Sequence, residues 1–364
     1  METNAFFYIF KLCLSVSCLA ITSGILGIFL VLKKQTLVGD ALSHSCFPGI
    51  ILIYCVTNKL ENQYLFLGAF IFSSLVLFLI EIIKKYTKKI KYDTILTLIL
   101  SSFFGLGKSL LSYAQMYHPS PQIARLDKFF LGQAALIQDE QIFTIIWILI
   151  IVLITIVLFW KEFKLFIFNK EYAQVIGIKP KIMTFILNCL TIMVVVIGLQ
   201  IMGVILISAL IISPALIARH WSNHLFANFI IACFVCISSS LLGTLISCFP
   251  NVFYLDRLFG QGGNIPTGPI ITCILSFCVF VSLLFSPKHG IIQKKIKHFR
   301  YKKKIIYFKD LIHLYTNEKD LNDLHKKDIN SVFFQKEYLI YRENKVQFSN
   351  KGKSLVQEIM EGKI

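Results

Sequence analysis

Residues 182–218 read IMTFILNCLTIMVVVIGLQIMGVILISALIISPALIA and contain no charged side chain. A helix that crosses a bilayer needs about 20 apolar residues, so this stretch is long enough for two crossings. Gln200 and Gly203 interrupt it near the middle. The pattern therefore predicts two nearly continuous spans, 182–200 and 202–218, with one uninterrupted helix as the alternative.

Seven further apolar stretches of comparable length occur along the chain. With the central pair they predict nine spans, or eight if the central stretch is one helix. The expected fold class is an all-α polytopic membrane protein with 8–9 transmembrane helices and a small tail. The seven stretches are residues 6–32, 38–57, 64–83, 94–115, 142–160, 225–249 and 268–285.

The composition excludes a soluble enzyme. The 364 residues are 56% hydrophobic and 16% charged, with a mean hydropathy of +0.70, whereas soluble proteins are about 45–50% apolar and 25% charged. Residues 286–364 hold 18 of the 37 Lys and Arg and 9 of the 20 Asp and Glu. We therefore expect a membrane-embedded body followed by a densely charged tail of net charge +9.

Basic loops predict the orientation, because Lys and Arg are enriched in loops on the cytoplasmic side. With nine spans, the five basic segments all fall on one side of the membrane. This arrangement predicts an external N-terminus and a cytoplasmic C-terminus. The five segments are Lys33-Lys34, Lys84 to Lys91, Lys161 to Lys181, Arg219 and the tail from Lys288.

Asp40 and His44 differ from the apolar sequence around them, in GDALSHSCFPG at residues 39–49. The two residues are four positions apart, so on a helix their side chains project from one face. A carboxylate and an imidazole suit Mn²⁺, Fe²⁺ or Zn²⁺, and two ligands give the weak coordination that a transport path needs. The spacing also fits a local Asp–His hydrogen bond near a helix start. A helix break at Pro48 or Gly49 would change the depth of the pair.

Six segments together resemble the permeases of metal-type ABC importers, which import manganese, zinc or iron. Residues 31–50, VLKKQTLVGDALSHSCFPGI, resemble the family motif GDALSHA-x-PGI, with Ser45 in place of the usual Ala. The resemblance covers about residues 5–290. The other segments are KYDTILTLILSSFFGLG, LDKFFLGQAALI, Glu171-Tyr172-Ala173 through Gly177, GLQIMGVILISALIISPALIARH and Pro266 to Pro269.

The resemblance implies roles for two pairs of residues in the membrane. Asp40 and His44 would handle the metal along the translocation path. Ser213-Pro214 would break a helix that lines the core, and the chemistry fits because proline removes an internal hydrogen bond.

The resemblance also implies a docking segment for a cytoplasmic ATP-binding subunit. The stretch Asn169 to Lys181 would form this coupling helix, with Glu171, Ala173 and Gly177 as the positions that match the family. The chain would lie in the cytoplasmic (inner) membrane of a bacterium.

No covalent chemistry is expected from this chain itself. A P-loop requires GxxxxGK[ST], and neither Gly352-Lys353-Ser354 nor Gly107-Lys108-Ser109 completes it. The resemblance implies that a separate subunit hydrolyses ATP, that an extracytoplasmic metal-binding protein delivers the metal, and that two permeases pair as a homo- or heterodimer. The metal would be cargo, with no permanently bound cofactor.

The end of the chain divides into two parts after a permease domain of residues 1–287. Residues 288–304 are a basic juxtamembrane linker, expected to lie against anionic lipid. Residues 305–364 predict a small cytoplasmic α/β extension. Within it, EYLIYRENKVQFS predicts a β-hairpin that turns near Glu343-Asn344, and Ser349 predicts the cap of a final helix over 351–360.

This order of elements resembles a shortened winged helix of metal-responsive repressors. The mixed charge of its candidate helix does not predict nucleic-acid binding. Two alternatives to a metal permease remain open from the sequence: a membrane-tethered metal-sensing regulator, and an ABC permease for a metal chelate, which would need a wider path and no Asp40/His44 pair.

Overall fold

A computed structural model describes residues 2–57, 61–87, 89–117, 139–248, 266–287, 290–308, 336–342 and 345–360, with residues 137, 311, 312, 315 and 333. The described residues form two compact units, Met1–Leu283 and Leu284–Ile364. Parts of the predicted segments LDKFFLGQAALI and Glu343-Asn344 lie outside the described residues.

The first unit is built from helices that match the predicted apolar stretches. Within the described residues, eight helices are long and apolar enough to cross a membrane. Their ends agree with the predicted ends to within a few residues. They are α1 (Glu2–Leu32), α2 (Val38–Thr57), α3 (Asn62–Tyr86), α4 (Tyr92–Tyr117), α5 (Asp139–Leu158), α8 (Pro180–Trp221), α9 (Leu225–Cys248) and α10 (Thr267–Phe285); two short helices, α6 (Trp160–Phe168) and α7 (Lys170–Val175), precede α8.

The central apolar stretch forms α8, which one non-helical residue divides in two. Gly203 has φ 80° and ψ 170°, a conformation essentially restricted to glycine. The side chain of Ile207 packs directly over Gly198, although residues nine apart in a straight helix are separated by about 13.5 Å of rise. α8 therefore folds back at Gly203 into two arms, close to the interruption that the sequence predicts.

The break expected at Ser213-Pro214 is not formed, since the second arm stays helical through both residues to Trp221. Pro214 is buried, and it lies beside Gly24 of α1. A helix break at Pro48 or Gly49 is also absent, because α2 continues to Thr57. Each proline removes only one internal hydrogen bond, and we attribute the continuity of the helices to the packing around them.

Three helices form the centre of the bundle. The most apolar windows of α1, α2 and α8 are 78%, 72% and 72% buried, against 22–39% for the other five long helices. α2 contacts α3, α4 and α8, and α1 contacts α8 and α9. The outer helices expose apolar side chains, as helices that face lipid do.

The second unit contains a helix, a hairpin and a final helix. The basic run is helical, α11 (Ile291–Tyr307), and β1 (Leu339–Arg342) pairs antiparallel with β2 (Lys345–Phe348). α12 (Asn350–Met360) follows, and the Ser349 hydroxyl accepts a 3.0 Å hydrogen bond from the Gly352 N–H. The predicted hairpin and helix cap are thus confirmed. A small core of Leu311, Phe333, Leu339 and Val356 packs the hairpin and α12 against residues that precede the hairpin.

Candidate functional site

Asp40 and His44 lie together on the first turns of α2. His44 Nε2 is 3.5 Å from Asp40 Oδ1, and the two side chains are 17% and 29% exposed respectively. This separation exceeds the 2.7–3.2 Å of a good N–H···O hydrogen bond. The local hydrogen bond considered from the sequence is therefore weak, and both groups keep partial access from outside the chain.

The pair is positioned by the helices on either side of α2. A Cβ added to Gly39 would lie 2.8 Å from Ile211 Cδ1, so α2 and the second arm of α8 are in close contact one residue before Asp40. On the other side, the ring of Phe104 in α4 meets the His44 ring edge to face, with centroids 5.2 Å apart. The Ser43 hydroxyl donates to the Asp40 backbone carbonyl at 2.8 Å and not to its carboxylate.

One turn further along α2, α4 approaches through a glycine and a lysine. A Cβ on Gly107 would lie 2.7 Å from Phe47 Cδ1, and Lys108 Nζ is 5.6 Å from the centre of the Phe47 ring. The lysine therefore lies over an aromatic face, where a cation is stabilised. This contact packs α4 against α2 one turn beyond the pair.

The described residues bring no third His, Cys, Asp or Glu to the pair. Among the described residues, no group of three or more His, Cys, Asp or Glu is close enough to hold a metal ion. Cys46, two residues from His44, is fully buried and its sulfur lies 3.0 Å from the Ser73 hydroxyl of α3. Within the part of one copy that the structure describes, the pair therefore offers one carboxylate and one imidazole. Ser213 and Pro214 follow on α8, two and three residues beyond Ile211.

The predicted coupling segment forms a compact projection between α6 and α8. Asn169 caps α7 by accepting a 3.0 Å hydrogen bond from the Tyr172 N–H. Ala173 is fully buried beneath it, whereas Glu171 is exposed. Gly177 has φ +92°, the left-handed region that glycine adopts without a steric cost, and the Ile178 N–H closes the turn onto the Ala173 carbonyl at 2.9 Å.

The projection carries an apolar surface that sequence reasoning missed. Tyr172, Val175 and Ile176 are 52%, 84% and 53% exposed. Their spacing is that of one side of a short helical turn. The sequence does show apolar residues interspersed with Glu171 and Gln174. Only the burial of Ala173 in the structure shows which side of the turn faces outward. Phe104 and Ile211 beside Asp40 and His44 were missed because their contacts are distant in sequence.

Comparison with known proteins gives one family match. Residues 5–286 match the model described as the ABC 3 transport family. The chain is 36% identical over 278 residues to the zinc transport system membrane protein TroC of Treponema pallidum, covering 76% of this chain and 88% of that protein. It is 35% identical over 286 residues to the manganese transport system membrane protein MntC of Bacillus subtilis, covering 79% and 62%.

A solved structure has the same fold. PsaBC from Streptococcus pneumoniae, determined in complex with Fab, matches with a TM-score of 0.65 and 24% identity, over 81% of this chain and 100% of that chain. At this identity the likeness concerns the fold.

Proposed function

The chain belongs to the ABC 3 transport family, and we propose that Asp40 and His44 contact the metal that it carries. Its relatives are named as zinc and manganese transport system membrane proteins. The chain is the permease subunit of a metal importer, an integral membrane protein whose role is transport.

The observation that carries the site is the 3.5 Å approach of His44 Nε2 to Asp40 Oδ1, with both side chains partly accessible. Carboxylate oxygen and imidazole nitrogen are ligands for Mn²⁺, Fe²⁺ and Zn²⁺. Cys46 contributes no thiolate ligand in this arrangement, since it lies against Ser73. The pair therefore favours one of these three metals over a thiophilic ion such as Cu⁺.

Two ligands from one copy do not complete a coordination shell, and we infer that a second permease subunit faces the first. A second Asp–His pair would supply four protein ligands at the interface. Such a site releases its ion whenever the two subunits separate, which suits passage better than storage. The partial exposure of both side chains supports this inference. The second permease subunit could be another copy of this chain, in a homodimer, or a different permease chain, in a heterodimer.

The projection at Asn169–Lys181 is proposed as the contact with a separate ATP-binding subunit. Its support is the apolar surface of Tyr172, Val175 and Ile176, which is exposed beside charged residues. Exposed apolar patches of this kind mark interaction sites. Movement of this subunit would be transmitted through α8, which begins at Pro180 and reaches Ile211 beside Gly39.

The orientation proposed places this projection and the C-terminus in the cytoplasm, and the N-terminus outside. The concentration of Lys and Arg in the loops on the side of the projection supports this assignment. An extracytoplasmic metal-binding protein would deliver the ion to the opposite face, in the cytoplasmic membrane of a bacterium.

For residues 305–364 we propose a shortened winged-helix-like fold without a DNA-binding role. The β1–β2 hairpin followed by α12 supports the fold. The candidate helix expected before the hairpin lies largely outside the described residues. A gel-shift titration with the detergent-solubilised full chain is expected to stay flat, and a saturable shift would favour the membrane-tethered regulator instead.

The test of the metal site is radioactive metal uptake into proteoliposomes that contain the chain with its partner subunits. Asp40→Asn and His44→Gln are each expected to lower uptake at least about tenfold, since even outer-shell changes at metal sites cost that much. Asp93→Asn is the matched control, because Asp93 occupies the first turn of α4 but is exposed. Unchanged uptake in both site variants would refute the assignment, and competition among Mn²⁺, Zn²⁺ and Fe²⁺ would identify the cargo.

A further inference from the structure

The helix that follows the last span, α11 (Ile291–Tyr307), carries an apolar stripe that the described residues leave uncovered. Ile292, Ile296, Phe299 and Ile306 recur at helical spacing, and they are 37%, 45%, 67% and 72% exposed. At 100° per residue these four side chains fall within one 80° sector. Four large apolar groups on one side of a helix need a nonpolar surface to cover them.

The charge of α11 indicates what kind of surface this is. Residues 291–307 contain seven Lys and Arg and no Asp or Glu. Lys294 and Lys297 lie on the side opposite the stripe, and both are exposed. Lys303 falls inside the stripe, where its aliphatic stem can extend to keep the ammonium in water. A helix with one apolar side and a strongly basic remainder matches the boundary of a negatively charged bilayer.

The start of α11 lies close to the end of the last span. Phe285 ends α10, and only residues 286–290 separate it from Ile291. Within this turn, the Gly290 N–H donates a 3.0 Å hydrogen bond to the Ser286 carbonyl, and the Lys294 N–H bonds to Gly290 at 3.0 Å. Gly290 is buried with no room for a Cβ against the Ser286 carbonyl. Along the chain, α11 therefore begins only a few residues after the last span ends.

We propose that α11 is an interfacial helix that binds the surface of an anionic membrane, with Ile292, Ile296, Phe299 and Ile306 inserted among the lipid chains. The lysines and the arginine then contact lipid phosphates. The basic residues of α11 therefore do more than set the orientation of the chain. They form a lipid-binding surface together with the apolar side of the helix. Its consequence is that the hairpin and α12 are tethered through a helix that the membrane holds.

The test uses the full-length chain in liposomes whose phosphatidylcholine carries bromine on the acyl chains, with a minority of phosphatidylglycerol. Bromine quenches tryptophan only where the ring enters the lipid. Phe299→Trp places a reporter on the stripe, and Tyr301→Trp places one about 200° away on the same helix. The emission of the three native tryptophans, measured in the unmodified chain, is subtracted from both.

The added tryptophan of F299W is expected to be quenched several-fold more than that of Y301W. This difference should shrink when phosphatidylglycerol is omitted and in the double variant Lys294→Gln/Lys297→Gln. The double variant Lys336→Gln/Lys353→Gln removes the same charge elsewhere in the tail and should leave the difference unchanged. Equal quenching of the two reporters would overturn the proposal, and so would a blue-shifted F299W emission that bromine does not quench, which would indicate a protein surface instead.

Discussion

Gly49 of α2 and Gly68 of α3 meet backbone to backbone: a Cβ built on Gly68 would lie 2.5 Å from the Gly49 carbonyl oxygen, and one built on Gly49 would collide with the Gly68 carbonyl. Gly49 lies between one and two turns beyond His44 on α2. They allow α2, which carries Asp40 and His44, to pack directly on α3.

This contact makes Gly49→Ala a sensitive substitution. The added methyl group must push α2 from α3, and we expect a loss of about 1–3 kcal/mol in the free energy of unfolding together with reduced metal uptake. Thermal melting of the purified chain measures the first effect. Gly105→Ala on α4 is the control, since nothing lies within 4 Å of its Cβ position, and it should gain up to about 1 kcal/mol from helix propensity. A G49A variant that melts like the unmodified chain would contradict the packing.

Gly203→Ala tests the turn within α8. At φ 80° and ψ 170° the backbone of any residue with a Cβ atom is strained, and the expected loss in the free energy of unfolding is about 1–3 kcal/mol. Ile205→Ala, two residues further and exposed, should change stability much less, because it truncates a side chain without altering backbone strain. Similar melting temperatures for the two variants would show that the arms are joined in another conformation.

Lys33 should make stability depend on pH in the alkaline range. Burial of its ammonium group, with smaller contributions from Lys84 and Lys170 and a partial offset from Glu81, lowers the pKa of Lys33 to about 8 from 10.5. Its Nζ lies 5.3 Å from the centre of the Phe166 ring. Since the unfolded chain then binds more protons between pH 8 and 10.5, stability should rise across this window.

Replacing this lysine should remove that dependence. Lys33→Met is expected to raise stability at pH 7 by at most about 3 kcal/mol and to give little gain near pH 10.5, where Lys33 is already neutral. Chemical unfolding at several pH values provides the measurement. Lys34→Met, at an exposed neighbour, serves as the control and should leave the pH profile as it is. An identical profile for K33M and the unmodified chain would mean that Lys33 is solvated.

Val175→Asp tests the proposed contact with a separate ATP-binding subunit. Val175 is 84% exposed in the permease, so a charge there should leave the melting temperature unchanged. If the side chain is covered by the partner, burying the new carboxylate costs far more than the valine contributes, and co-purification of the ATPase should fall at least about tenfold. Gln174→Asp adds the same charge at an exposed neighbour. Retention of the ATPase by V175D would place the interface elsewhere.

Much of the membrane architecture could be predicted because the bilayer imposes it locally. The predicted span 38–57 coincides with α2, and the spacing of Asp40 and His44 placed both on one face. The hairpin and the Ser349 cap were also predictable, since turn and cap preferences act over a few residues. These features depend on hydropathy, periodicity and short-range hydrogen bonds.

Breaks in helices were harder to predict. Proline at positions 48 and 214 suggested interruptions, yet both helices continue, whereas the turn at Gly203 lies at the interruption predicted from Gln200 and Gly203. Loss of one hydrogen bond does not decide whether a helix ends when neighbouring helices hold both sides. The geometry of packing decides it, and that geometry involves residues far apart in the chain.

The sequence alone determined that this protein is a polytopic membrane protein with one Asp–His pair on a helix, because apolar length and residue spacing are local properties. Only the tertiary structure decided what surrounds the pair: Ile211 close to Gly39, and Phe104 against His44. It also decided which apolar groups of α7 and α11 remain exposed. Burial is a property of the assembled helices, so no stretch of sequence specifies it by itself.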